Sequence, residues 1–287
     1  MKILYLFILI GLYTATTFAQ NDLLDELEED LAAQPTQEIA VFKGVKIVNL
    51  ESTKLIAKNQ LDFIISHRFG TLSDGVDNFL GLDQASARIQ FIYGITDWLN
   101  VSTSRSGFNK TYDVAFKYRL KSQETNGFPF TIVGYNIANV NTELDQDLLP
   151  QLEFADRLGY ASQIIISRKF NKNLSLELVP TFFHDNTVVE DGQDNAQFAL
   201  GFGGRVKLTK RFALIGDYGV HLNRVSNSVF QNPLAVGVEI ETGGHVFQIH
   251  LSNSQAIYEN GFFGQARGDF TEGDIFLGFN LSRSFSL

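Results

Sequence analysis

Apolar and polar residues alternate in nearly every strand-like segment of this chain between Asn59 and Leu287. Successive side chains of a β-strand point to opposite faces, so one face of each segment suits lipid and the other suits water or ion pairs. In the last segment, where Arg283 is the exception, the apolar odd positions are Ile275, Leu277, Phe279, Leu281, Phe285 and Leu287. A soluble β-sandwich also alternates, but it does not need an apolar outer face on every strand. The pattern is typical of a membrane-spanning β-barrel.

The alternation predicts an all-β fold, an antiparallel up-and-down transmembrane barrel of about twelve strands. The predicted strands lie near 60–69, 86–95, 99–106, 111–121, 128–137, 158–170, 174–183, 196–208, 211–222, 233–241, 245–253 and 274–286. Their lengths fit the roughly 9–11 residues that cross a bilayer at a tilt. Short and long connections take turns, which predicts that both termini lie at the periplasmic end and the long loops outside.

The N-terminus has the three parts of a secretory signal peptide, so 1–19 is predicted to be removed on export. Lys2 supplies the positive charge, 3–12 is apolar, and 17–19 offers a small-x-small cleavage site. The apolar run is shorter than the roughly 20 residues that a membrane-spanning helix needs. Any membrane crossing is therefore expected from strands. The remaining chain divides into a periplasmic stretch at 20–58 and the barrel at 59–287.

The periplasmic stretch begins with a predicted short acidic helix at 21–31, in which Leu23, Leu27 and Leu31 share one face. A solvated leader, a docking helix for a periplasmic partner and a plug under the barrel all remain open for it. The next β-prone segment, 41–50, has three possible placements: a strand within a plug, an edge pairing at the periplasmic rim, or an additional barrel strand.

Composition excludes several functions. The chain has no cysteine, which rules out disulfides, a thiol nucleophile, cysteine-bound metal and a lipoprotein anchor. We predict no cofactor, no metal site and no nucleic-acid partner; the expected partners are outer-membrane lipid and lipopolysaccharide, and the expected state is a monomer. The long outer loops, including Glu259 in the last one, are rich in Asp and Glu. Such loops either attract cations to the mouth or serve solubility and divalent bridging to lipopolysaccharide.

Polar residues of both signs occupy the positions that should point into the barrel. The predicted lumen-facing residues are Arg88, Gln90, Asp113, Lys117, Arg119, Glu177, Arg205, Asp217, Glu239 and Gln248. Interspersed charges favour pairing across strands. A twelve-stranded barrel also lies between the filled eight-stranded type and the open channels of sixteen or more strands. The sequence therefore predicts a narrow or plugged lumen.

One short motif suggests an enzyme. His250, Ser252 and Asn253 form an H-x-S-N sequence, which resembles the local motif of outer-membrane phospholipase A and of lipid A deacylases. That resemblance implies a histidine base and a serine nucleophile, with Asn280 as the best candidate for the third, orienting residue. Alternation, however, turns His250 and Ser252 inward, whereas those hydrolases present the pair outward. We therefore predict no catalytic site and retain lipid hydrolysis as the alternative.

An ordered series of motifs connects the chain to a family. These are Ile65–Gly70, Gly81–Asp83, Tyr93–Asp97, Arg105–Ser106, Lys110–Asp113, Lys117–Tyr118 and Thr242–Gln248. Together they closely resemble an uncharacterised outer-membrane β-barrel family of Bacteroidota, a domain of unknown function. The resemblance implies an outer-membrane barrel in a Gram-negative envelope and implies no activity, ligand or site residue. The function expected from the residues is a narrow or plugged channel or an envelope interaction platform.

Overall fold

The computed structural model describes residues 37–147 and 149–287, and twelve strands there close into one antiparallel barrel. The strands are β1 (Gln60–Thr71), β2 (Ala85–Thr96), β3 (Leu99–Ser106), β4 (Tyr112–Lys121), β5 (Thr131–Val140), β6 (Leu158–Lys169), β7 (Leu174–Asp185), β8 (Ala196–Lys207), β9 (Phe212–His221), β10 (Leu234–Thr242), β11 (His245–Ser252) and β12 (Phe276–Ser286). Each strand pairs with its chain neighbours, and β1 pairs with β12. The predicted fold and strand number are confirmed. The predicted signal peptide and acidic helix lie outside the described residues.

The wall of the barrel has the two faces that the alternation predicts. Burial alternates residue by residue along β1, and it does so again along β6, β7 and β8. Exposed large apolar side chains on the strands include Ile89, Phe91, Val114, Phe116, Ile164, Leu176, Phe198, Phe202, Leu214, Val236 and Ile249. An apolar outer surface of this kind suits contact with lipid. The closed ladder suits a membrane as well, because it leaves no strand edge with unpaired backbone groups.

The connections differ strongly between the two ends of the barrel. At the end that holds the start of β1 and the end of β12, here called the turn end, most links are short, such as 97–98 and 243–244. At the opposite, loop end, most links are long, and the last of them contains a short helix, α1 (Glu259–Gly264). No helix within 37–147 and 149–287 is long and apolar enough to span a membrane.

One strand starts later than its sequence indicates. The alternation places β5 at 128–137, whereas the strand runs from Thr131 to Val140. Pro129 explains the shift, because proline has no backbone N–H to give to a ladder. The apolar residues Phe128 and Phe130 therefore belong to the turn before β5, where their rings contact each other.

Candidate functional site: the occupied barrel interior

The interior of the barrel is filled by the chain that precedes β1. Residues 41–56, here called the inner segment, are buried except for Lys43 and Lys54. The segment turns back on itself, since the Ile47 amide donates to the Leu50 carbonyl at 2.9 Å and the Ser52 amide to the Val45 carbonyl at 2.8 Å. It joins no barrel ladder. Of the three placements open from sequence, the segment has the interior one.

Asp217 on β9 holds the tip of the inner segment. Its Oδ2 accepts hydrogen bonds from the backbone amides of Val48, Asn49 and Leu50 at 3.0, 2.7 and 3.0 Å. The Asn49 side chain adds a bond to Asp217 Oδ1 at 3.1 Å. Arg68 on β1 in turn donates to Asn49 Oδ1 at 3.2 Å. Three successive amides around one carboxylate form an anion-binding turn, with the wall supplying the anion.

A second contact is ionic. Glu51 of the inner segment lies 2.6 Å from Lys46 of the same segment and 3.0 Å from Lys117 on β4. All three side chains are buried. Burial by itself raises the pKa of Glu51, but the charges of Lys46 and Lys117 together outweigh burial and lower that pKa to about 2. Glu51 therefore stays ionised and ties the segment to the wall.

The loop end is closed by chain as well. Residues 254–268, here called the inward loop, are buried except for Gln255, Gly264, Gln265 and Arg267. Arg88 on β2 donates to the Ile257 carbonyl at 2.9 Å. Arg224 donates to the Phe263 carbonyl at 2.9 Å. These bonds fix the loop inside the wall.

The inward loop corrects one expectation about charge. Glu259 counts among the acidic loop residues by sequence, but it is fully buried, and neither of its carboxylate oxygens has a hydrogen-bond partner in the described residues. Burial raises its pKa. The loop folds inward because Ala256, Ile257, Phe262 and Phe263 are apolar, and burying them outweighs the cost of one carboxyl.

The inner segment and the inward loop meet in one apolar cluster. Leu50 and Leu55 come from the segment, and Phe262 and Phe263 from the loop. The wall contributes Ala115, Val133, Tyr135, Ile137, Ala161, Ile165, Val179, Phe183 and Ala199. The lumen-facing side of β5 to β7 thus mixes apolar side chains with uncharged polar ones, and Glu177 is its one buried carboxylate within the described residues. The predicted pairing of charges across strands describes the other strands better.

Two wall glycines make room for the inner segment. A Cβ at Gly203 would lie 2.3 Å from Ile47 Cδ1. A Cβ at Gly94 would lie 2.9 Å from the Ile56 carbonyl oxygen and 2.0 Å from that of Ala57, the residue that follows the segment. Non-bonded heavy atoms do not approach this closely, so any larger residue there must displace the segment. The two inward glycines of β8, Gly201 and Gly203, are therefore explained by close packing against Leu50 and Ile47.

We expect Gly94→Val to loosen the C-terminal end of the inner segment. Overpacking against backbone costs about 1–3 kcal/mol. The chain has no cysteine, so a single Ile56→Cys, at a position 2% exposed, reports undocking through its rate of maleimide labelling. The rate should rise about tenfold or more. Gly243→Ala is the matched control, because a Cβ at Gly243 meets nothing within 4 Å. Equal rates in both variants would contradict close packing at Gly94.

Most of the residues that the sequence predicts to face the lumen are buried in the structure. Nine of the ten are buried: Arg88, Gln90, Asp113, Lys117, Glu177, Arg205, Asp217, Glu239 and Gln248. The tenth, Arg119, is half-buried at the turn end and lies 3.4 Å from Glu38. Arg88 pairs with Asp113 at 3.0 Å, and Arg205 pairs with Glu239 at 2.6 Å. Sequence reasoning missed that several of them bind the inner segment, because those contacts join residues far apart in the chain.

The H-x-S-N residues lie inside the barrel. His250 and Ser252 are buried, and neither ring nitrogen of His250 has a hydrogen-bond partner within the described residues. Ser252 Oγ instead accepts from Asn49 Nδ2 at 3.4 Å and from the Ser254 amide at 3.1 Å. Asn280 donates to the Val48 carbonyl at 3.2 Å. Ser252 and Asn280 thus contact the inner segment, and no His–Ser hydrogen bond connects base to nucleophile.

A polar path runs beside the inner segment. A cavity of about 360 Å³ opens at the turn end between the segment and β10 to β12, with Lys43, Lys54 and Asp62 in its lining. Next to it, a space of about 10 Å³ shares Val45, Val246 and Ser282 with the cavity, and its lining includes the polar side chains of Lys46, Gln248 and Asn280 beside the apolar Ile64. That volume is about the space one water molecule needs. A space of this size is too small for a solute.

Side chains that could ligate a metal ion are dispersed over the described part of the chain. Within 37–147 and 149–287, no three His, Asp or Glu side chains are grouped so that they could hold a metal ion. His67 stacks on Phe279, and His184 bonds Asn186 at 2.9 Å, so two of the histidines have other contacts. The expectation of no cofactor stays a prediction.

Comparison with known proteins gives a family and a set of similar folds. The family model described as "Membrane bound beta barrel domain (DUF5777)" matches residues 42–285. The search of curated proteins finds no match. The match therefore covers all twelve strands and most of the inner segment, but not the stretch before it.

Several solved barrels are distantly similar. The NanC porin is 12% identical with a TM-score of 0.49, over 79% of this chain and 100% of that chain. An outer membrane channel from Pseudomonas putida F1 is 13% identical with a TM-score of 0.46, over 81% and 97%. LpxR from Salmonella typhimurium is 11% identical with a TM-score of 0.36, over 79% and 100%. Similarity at this level carries no conclusion about what this chain transports or acts on.

Proposed function

The chain belongs to the family of membrane-bound beta barrel domains, whose model matches residues 42–285. We propose that it is a channel in the outer membrane of a Gram-negative bacterium and that the channel is closed at rest. In this proposal the turn end faces the periplasm and the loop end faces outside, in contact with lipopolysaccharide, and the barrel acts as a monomer. Movement of the inner segment together with the inward loop opens a path for small solutes.

The observation that carries this proposal is the way in which the lumen is filled. Small barrels are filled by the side chains of their own strands, and such a core is permanent. Here the filling is chain that enters from each end. The inner segment is joined to the wall covalently only where it leads into β1, and its contacts with Asp217 and Lys117 are non-covalent. A filling of this kind can leave while the closed strand ladder stays intact.

The wall that the inner segment covers is suited to water. Gln248, Glu239 and Asn280 line it beside the segment, and Gln248 donates to the Lys46 carbonyl at 3.0 Å. With the segment displaced, these groups would be hydrated in a polar passage. The acidic loop residues would concentrate cations at the outer mouth. We therefore expect cation preference in the open state.

Planar-bilayer recording tests the proposal directly. The full protein should show small steps or none. A variant that lacks both 41–56 and the inward loop should show larger, cation-selective steps, because neither stretch of chain then fills the lumen. Both proteins must keep the heat-modifiable gel migration of a closed barrel. Large anion-selective steps from the full protein, or no gain in the folded deletion variant, would overturn the proposal.

A further inference from the structure

A small pocket at the loop end has the chemistry of a sugar site. Its volume is about 280 Å³, and its lining comes from four different connections between strands. The residues used below are Phe108 and Asn109 from the β3–β4 link, Asn141 from the β5–β6 link, and Gln255, Gln265 and Arg267 from the inward loop. Neither the proposed channel nor the family description gives this pocket a role.

Four carboxamides in the lining are each anchored at one end. Asn109 Nδ2 donates to Gln265 Oε1 at 3.3 Å, so both of those groups are in use. Asn141 Oδ1 accepts from the Glu143 amide at 3.0 Å. Gln255 Nε2 donates to the Phe69 carbonyl at 3.2 Å. These bonds hold the side chains in fixed orientations.

The other end of each carboxamide has no hydrogen-bond partner among the described residues. Asn141 Nδ2 and Gln265 Nε2 are free donors, whereas Asn109 Oδ1 and Gln255 Oε1 are free acceptors. A hydroxyl both donates and accepts, so a ligand with several adjacent hydroxyls can satisfy all four. A carboxylate or a fully ionised phosphate group lacks donors and would leave the two acceptors unsatisfied.

The remaining lining residues fit the body and charge of such a ligand. The half-buried ring of Phe108 offers an apolar face on which the C–H face of a sugar ring can pack. Glu143 and Arg267 contribute one charge of each sign, so the lining has no net charge. We propose that this pocket binds one ring of a neutral saccharide at the outer mouth. The volume fits a single ring, because it lies just under the range of drug-sized pockets.

Binding of methyl hexosides to the detergent-solubilised full protein tests this site. We expect saturable binding of at least one methyl glucoside, galactoside or mannoside by saturation-transfer NMR, and weaker binding of the matching methyl glucuronide. Asn141→Ala and Gln255→Ala should each weaken binding about tenfold. Gln146→Ala is the matched control, since Gln146 lies in the same link as Asn141 but bonds the Leu152 carbonyl.

Each outcome of this test decides the proposal. Hexoside binding that is lost in Asn141→Ala and Gln255→Ala and kept in Gln146→Ala supports it. No saturable hexoside binding, equal weakening by the control, or tighter binding of the glucuronide overturns it. The variants must retain heat-modifiable migration, so that loss of binding is not loss of fold. Because the readout is binding, failure here leaves the conductance test of the channel untouched.

Discussion

Replacing Asp217 by alanine should release the tip of the inner segment while the barrel stays closed. The change removes the acceptor of three backbone amides and of the Asn49 side chain. Each buried donor left without a partner costs about 1–3 kcal/mol. A loss of about 3 kcal/mol in docking free energy corresponds to roughly a hundredfold more of the released state. Maleimide labelling of a single Val48→Cys, at a position 0% exposed, measures that state.

Two further substitutions separate the specific effect of Asp217 from a general loss of buried charge. Asp217→Asn keeps one acceptor oxygen and should give an intermediate labelling rate. Glu177→Gln removes another buried carboxylate, one whose oxygens have no hydrogen-bond partner in the described residues. It should label at nearly the parent rate. If Asp217→Ala labels no faster than the parent, the hydrogen bonds from the three amides to Asp217 do not hold the segment. Release of these bonds is then not part of the proposed opening movement.

Sequence alone predicts the barrel well because lipid and water act on each strand locally. Neighbouring residues such as Phe116 and Lys117 reveal by their contrast which face is which, without knowledge of any distant contact. Where local chemistry interferes, as at Pro129, the boundary moves by a few residues. Strand number and pairing order follow from this pattern together with the lengths of the connections.

The filling of the lumen is harder to predict, because its contacts are non-local. Asn49 and Asp217 are 168 residues apart, and nothing near either residue indicates the other. Some signals were present. Ala256, Ile257, Phe262 and Phe263 make the last loop too apolar for an exposed position, and the inward glycines of β8 indicate that something packs against them. The carboxamide pocket left no sequence signal, since its residues come from separate links.

Replacing Glu51 by glutamine should undock the inner segment through charge. The change leaves the ammonium groups of Lys46 and Lys117 buried without their carboxylate. Removing one partner of a buried ion pair costs about 3–5 kcal/mol. We expect faster labelling of Val48→Cys, by about a hundredfold or more. Replacing all three residues together, as Lys46→Met, Glu51→Leu and Lys117→Met, should largely restore docking, because an apolar set of similar size needs no counter-charge.

The same carboxylate gives docking a defined pH dependence. The pKa of Glu51 is lowered from an ordinary 4.5 to about 2 when the segment is docked. A group whose pKa is lower in the folded state stabilises that state fully above its unfolded pKa, and the contribution is lost as the pH falls toward the folded pKa. The segment should therefore become more sensitive to pepsin as the pH falls from about 4.5 to about 2. In Glu51→Gln this dependence should largely disappear, with high sensitivity throughout. An unchanged pH profile in that variant would show that Glu51 does not control docking.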